Sequence, residues 1–128
     1  MLKLPVLVIV ALAMATQFAL ANPNDQVIAD CGEFDFVQTI LTDPDTGAVS
    51  SITLSAQTRL RSVELKKADR VQIARYGSRT PGAQLFAGEL NENEDLYVER
   101  IERAGFPIYR SFYVRSGKKD AVKTCVNQ

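Results

Sequence analysis

Histidine is absent from all 128 residues, and so is tryptophan. Without histidine the chain lacks the usual general base, the Ser-His-Asp and Cys-His arrangements and the commonest zinc ligand. Cysteine is limited to Cys31 and Cys125. No glycine-rich phosphate cradle of the P-loop or dinucleotide-binding kind is present. No Asn-x-Ser/Thr sequon occurs either. Neither charge sign is in excess, with 15 Lys+Arg against 15 Asp+Glu, so no global basicity points to nucleic acid or an anionic membrane. These absences predict no cofactor, no metal centre and no nucleic-acid partner, and they weigh against the common enzyme classes.

The one long apolar stretch is at the start. Lys3, the apolar residues 4–15 and the small-x-small ending Ala19-Leu20-Ala21 read as a secretory signal peptide over residues 1–21. Its apolar run of roughly 12–18 residues is short of the ~20 needed to span a bilayer. The expectation is cleavage before Asn22 and an exported chain, periplasmic or secreted, with no membrane span in its mature form. No cysteine follows the cleavage point to carry a lipid anchor. Lys3 is the only charged residue of the leader, so the remainder carries one net negative charge. Two cysteines near the ends of an exported chain predict a Cys31–Cys125 disulfide, the alternative being two free thiols. Such a bridge closes a loop on the order of 95 residues and stabilises by ~4–5 kcal/mol in the chain-entropy model.

Residues 22–30 read as a flexible N-terminus, and residues 31–128 as a single β-rich domain. From Cys31 the pattern has period two, with Phe34, Phe36, Gln38 and Ile40 on one face. Asp43-Pro44-Asp45-Thr46-Gly47 is a turn, and residues 48–55 return as the second strand of a hairpin. Residues 58–76 fit either a helix or two strands joined near residues 66–69, and the two-strand reading is preferred. Residues 84–90 are a short strand, residues 96–103 are left open between strand and helix, and residues 108–115 are the clearest strand. Ser116-Gly117-Lys118-Lys119 is a turn, and residues 121–126 are the last strand. Short strands with turn signals every ~8–12 residues predict a mainly β fold, a small antiparallel sandwich or barrel. There is room in it for one or two short helices, and the N- and C-terminal strands are tied by the disulfide.

Charge is segregated along the chain. Residues 22–57 hold six acids and no Lys or Arg, residues 58–88 are basic, residues 89–103 acidic and residues 104–128 basic again. Acidic strands pairing with basic ones across a sheet account for this; an exposed charged face that steers a partner is the sharper reading. Among the carboxylates, Glu33 and Asp35 lie two apart and would share a strand face, the arrangement a carboxylate-only glycosidase needs. Asp43-x-Asp45-x-Gly47 has the start of a calcium loop but not its distal Glu. Glu89, Glu92, Glu94 and Asp95 are a second oxygen-rich cluster.

The preferred candidate site is the outward face of the 108–115 strand. Tyr109, Tyr113 and Arg115 would lie in a row there, with Tyr97 and Arg100 on a neighbouring strand. Tyr and Arg dominate interface hot spots because a large amphipathic body is buried at low entropic cost. The loop over residues 75–82, with Arg75, Tyr76 and Arg79, is a second candidate. The segment Phe112-Tyr113-Val114-Arg115-Ser116-Gly117, with a cysteine near each end of the mature chain, resembles a strand end of periplasmic inhibitors directed at C-type lysozymes. The Ser-Gly-containing loop of that family is missing here, and no membership is assigned. The function expected is therefore an exported, non-catalytic binding protein of the bacterial envelope: an accessory subunit, inhibitor or immunity-type protein with a protein partner. The alternatives are a carboxylate-only polysaccharide hydrolase and a homo-oligomerising structural subunit of a surface assembly.

Overall fold

The computed structural model describes residues 24–128; the expected signal peptide lies outside the described residues. The period-two segments form strands β1 (Asp25–Asp30), β2 (Asp35–Thr42), β3 (Val49–Gln57) and β4 (Ser62–Lys67). A short helix α1 (Arg70–Tyr76) precedes β5 (Gln84–Asn91), β6 (Glu94–Arg103) and β7 (Phe106–Arg115). Three two-residue strands end the chain: β8 (Lys118–Lys119), β9 (Lys123–Thr124) and β10 (Val126–Asn127). All belong to one antiparallel sheet in the order β10-β1-β2-β3-β4-β5-β6-β7-β8, with β9 on β7.

The sheet curls into a half-barrel, and its open seam lies between β1 and β7. The C-terminal segment spans that seam. Thr124 and Lys123 pair with Arg110 and Ser111 of β7, and two residues later Val126 and Asn127 pair with Asp30 and Ala29 of β1. Between them the Cys125 N–H donates to the Tyr109 carbonyl at 2.8 Å, and Cys125 is disulfide-bonded to Cys31. The mainly β fold and the predicted bridge are thus both present.

Three expectations are corrected. Residues 25–30 are a strand, not part of a flexible terminus, because β1 is held by β2 on one edge and β10 on the other. The last strand, expected over residues 121–126, is split by Cys125 into β9 and β10, since each half pairs with a different side of the seam. Residues 58–76 hold one strand and a helix rather than two strands. Asp69 caps that helix: its carboxylate accepts from the Gln72 N–H at 2.8 Å, and the Gln72 side chain accepts from the Asp69 N–H at 2.9 Å. This reciprocal capping box nucleates a turn of helix whose Tyr76 then finds an apolar surface to cover. Residues 96–103, left open by sequence, are strand β6. It runs into β7 through Ala104-Gly105, both at positive φ, the two-residue turn whose twist matches a hairpin.

Two apolar clusters follow from this wrapping. The interior one gathers residues from every long strand, including Ala29, Phe36, Ala56, Leu65, Phe86, Val98 and Tyr109, together with the disulfide. Phe36, 1% exposed, has the rings of Tyr109 and Phe86 at 5.2 and 6.4 Å. The second cluster is on the outer face of β5–β7, where Leu85, Tyr97, Phe112 and Val114 lie beneath Ala68 and Tyr76.

Gly88 of β5 lies tightly against Val63, Glu64 and Leu65 of β4. A Cβ there would stand 2.9 Å from the Glu64 carbonyl oxygen and 2.7 Å from a Leu65 methyl. Backbone cannot step aside without disturbing the β4–β5 pairing, so Gly88→Ala is expected to destabilise by about 1–3 kcal/mol. Urea denaturation checks this; an unchanged midpoint would mean that β4 can move off β5 freely.

Candidate functional site

Tyr109, Tyr113, Arg115, Tyr97 and Arg100 do not form one outward row. Strand β7 is covered on both sides, and the face expected to point outward points into the barrel. Tyr109 is 7% exposed in the interior cluster. Its hydroxyl meets Arg100, which also pairs with Glu102 at 2.6 Å at the far end of the barrel. Tyr97 is 1% exposed under the helix, stacked on Phe112 at 5.1 Å with Tyr76 at 5.3 Å; burial pushes its phenol above the usual range. Only Tyr113 and Arg115 stay together, at the mouth where β2 begins and β7 ends. There the Arg115 guanidinium lies 4.6 Å over the Tyr113 ring.

Around this pair the mouth assembles a charged network from separate parts of the chain. The Tyr113 hydroxyl donates to Glu33 Oε2 at 2.8 Å, and Lys123 Nζ donates to Glu33 Oε1 at 3.1 Å. Arg115 bonds Glu94 and reaches Asp120 at 3.2 Å. The other Asp120 oxygen accepts from the Tyr113 N–H at 2.7 Å. The hydrogen bond from Tyr113, then the one from Lys123, hold the Glu33 carboxyl below its ordinary range. Burial first, and the Glu33 carboxylate second, push the Tyr113 phenol up to about 12. A raised phenol pKa favours the folded state below about pH 10, and that contribution disappears as pH rises toward the folded value. For Glu33 the sign is opposite: its contribution is present at neutral pH and is lost as pH falls through its depressed pKa. Glu33→Gln is expected to bring the phenolate transition of Tyr113 down toward, but not onto, the ordinary tyrosine value. Absorbance titration of the phenolate measures it, and an unmoved transition would assign the whole shift to burial.

The loop between β3 and β4 forms the opposite lip of this mouth. Thr58 braces it: its N–H donates to the Arg61 carbonyl at 2.8 Å, and its hydroxyl accepts from the N–H groups of Leu60 and Arg61 at 3.3 and 3.1 Å. Arg61 also donates to the Leu90 carbonyl on β5. The braced turn presents Leu60 97% exposed, between Arg61 and an Arg59 that has no ion-pair partner among the described residues. An open cleft of about 810 Å³ separates this lip from the bend at residues 32–35, with Phe34 among its lining residues.

Other expected features resolve differently. Glu33 precedes β2 in a bend, so it does not share a strand face with Asp35. Glu33 is held ionised, while burial and then Asp30 raise the Asp35 carboxyl. Asp43 closes the hairpin turn, its carboxylate accepting from the Asp45 N–H and its carbonyl from the Gly47 N–H, each at 2.8 Å. Glu94 of the second acidic cluster is engaged by Arg115 and Asn91. No group of three or more acidic, His or Cys residues suited to a metal ion is found among the described residues. In the 75–82 segment, Arg75 and Tyr76 belong to α1, and Ser78 ties the loop to the buried Glu99 through a 2.8 Å N–H···Oε2 bond.

Lys123, Asp120 and the Arg59-Leu60-Arg61 tip were not singled out as site residues. The one signal in the sequence was the abrupt appearance of Arg-Leu-Arg after the uncharged residues 46–58. No family model matches the chain, and neither a curated protein nor a solved structure is similar to it.

Proposed function

We propose that the chain is an exported, non-catalytic binding protein that docks a protein partner at the barrel mouth through Leu60, Arg59, Tyr113 and Arg115. The carrying observation is a fully exposed leucine held on a hydrogen-bonded turn rather than on a mobile loop. A rigid apolar anchor loses little conformational entropy on binding, and the flanking arginine and tyrosine side chains are of the types enriched at binding hot spots. The disulfide suits an oxidising compartment and, with the leader-like residues 1–21, supports export. Sub-cellular fractionation and N-terminal sequencing should find a mature chain starting at Asn22 outside the cytoplasm.

The binding test uses tagged protein on native envelope extract. Wild type is expected to retain one stoichiometric partner. Leu60→Ser/Arg59→Ala and Tyr113→Ala/Arg115→Ala should each weaken retention at least ~10-fold while near-UV dichroism stays native. Equal retention by both folded variants would remove the mouth as the binding surface.

A further inference from the structure

Against the inner wall of the open cleft lies a second, smaller hollow of about 80 Å³. The two share Glu33, Phe34 and Thr58 as lining residues, so the hollow adjoins the cleft on the barrel side. Its apolar walls are Phe34, Ala56 and Leu96 of the interior cluster, with Val63 and Leu90 half-buried beside them. Ala56 makes the room. It stands on β3 in register between Phe36 of β2 and Val63 of β4, and its methyl group reaches less far than either neighbour. The polar lining residues already have partners. Tyr113 donates to Glu33, the Thr58 hydroxyl accepts from two N–H groups of its own turn, and Arg61 donates to the Leu90 carbonyl. A water molecule inside would find few of the two to four polar partners it needs, so the hollow suits an apolar occupant.

We infer that this hollow receives one aliphatic side chain from an acidic segment of the partner polypeptide, an inference that rests on the mouth being the docking surface. Size selects an aliphatic group over an aromatic ring: about 80 Å³ is roughly half of the ~150 Å³ that takes up a benzene molecule. Charge selects the acidic segment. Arg61 lines the hollow and Arg59 the adjoining cleft, and neither has an ion-pair partner among the described residues. The neighbouring acids are engaged, Glu33 by Tyr113 and Lys123, Glu94 and Asp120 by Arg115. Asp35 lines the cleft but not the hollow. A carboxylate beside the entering side chain therefore meets two guanidinium groups that no carboxylate of this chain neutralises, which favours the acidic segment and disfavours a basic one.

The test titrates the purified chain with short blocked peptides and follows the methyl resonances of Val63, Leu90 and Leu96. Acetyl-Asp-Leu-Asp-amide should shift all three with a Kd on the order of 1 mM, and titration to about 20 mM covers that range. The peptides with Gly or Phe at the centre should leave the methyls unmoved, and acetyl-Lys-Leu-Lys-amide should bind at least ~10-fold more weakly. Ala56→Val, which adds methyl groups into the hollow, should abolish the shifts while the melting temperature holds or rises; a merely damaged fold would lower it. Val63→Ala widens the hollow and should admit the Phe peptide. No shift with the Leu peptide overturns the inference, and so does equal binding of the Gly, Phe or Lys peptide. Retention of the envelope partner separates the two readings. If folded Ala56→Val retains it as wild type does, the hollow is excluded and the mouth stands. If the Leu peptide binds but wild type retains no partner, the mouth reading falls and the side-chain site remains.

Discussion

Replacing both Cys31 and Cys125 with serine is expected to cost the protein more stability than any other change outside the packed aromatic core. The bridge spans 94 residues of sequence, nearly all of the described fold. Releasing a loop of that size returns ~4–5 kcal/mol of chain entropy to the unfolded state, and measured losses for native bridges run to about 2–5 kcal/mol. For a domain of this size that corresponds to a fall in melting temperature of about 10–25 °C. The architecture adds a local reason. The backbone pairing that spans the seam between β1 and β7 is that of β9 and β10, two residue pairs each, and Cys125 lies between them. Without the bridge these pairings and a few hydrogen bonds, such as Cys125 N–H to the Tyr109 carbonyl and Asn127 Nδ2 to the Pro107 carbonyl, have to hold the C-terminal segment, and the seam should open before the rest of the sheet melts. Hydrogen exchange should then show fast amides over residues 123–127 and at Asp30, with the β5–β7 amides still protected. Both sulfurs belong to buried residues, so the serine variant is a cleaner test than added reductant. An unchanged melting curve would show that strand pairing alone holds the seam.

Phe36→Ala is expected to have a comparable effect for a different reason. Phe36 sits at the centre of the interior cluster, touching Tyr109 on β7 and Phe86 on β5 across the barrel. Truncation removes the ring that links β2 to β5 and β7 across the interior. The rigid sheet cannot collapse around the void, so the loss should fall near about 3–5 kcal/mol. Urea denaturation with a two-state fit measures it. A loss below about 1 kcal/mol would mean that the interior repacks and is softer than its ring contacts imply. Phe36→Leu, which leaves a smaller void, should recover part of the difference.

Particular elements show how far the sequence could be read. The β2 and β7 strands were legible from alternation alone, the Asp43–Gly47 turn from its residue types, and the disulfide from the cysteine count and the leader-like start. The helix was half legible: Asp69-x-x-Gln72 is a capping-box spacing, but the apolar positions from Leu60 to Ala74 fit strands as well. The candidate site was read less well. Tyr113 and Arg115 do lie together at the surface, whereas Tyr109 and Tyr97 are core residues and Arg100 belongs to the other end of the barrel. The error was one of facing. Both faces of β7 carry large apolar side chains, and alternation sorts residues into two sets without saying which set is inside.

What the sequence determined by itself was therefore local: strand period, turn positions, cysteine parity and the order of charged blocks. These depend on neighbours a few residues away, where backbone geometry dictates who shares a face. The tertiary structure decided the rest. Curling the sheet put Tyr109 and Ser111 inside, and docking α1 covered Tyr97 and Phe112 on the outside. Spanning the seam brought Glu33 to Tyr113 and Lys123, residues 80 and 90 positions away. Contacts at such separations depend on where the whole sheet bends and which face the helix covers, and no stretch of period-two sequence carries that information.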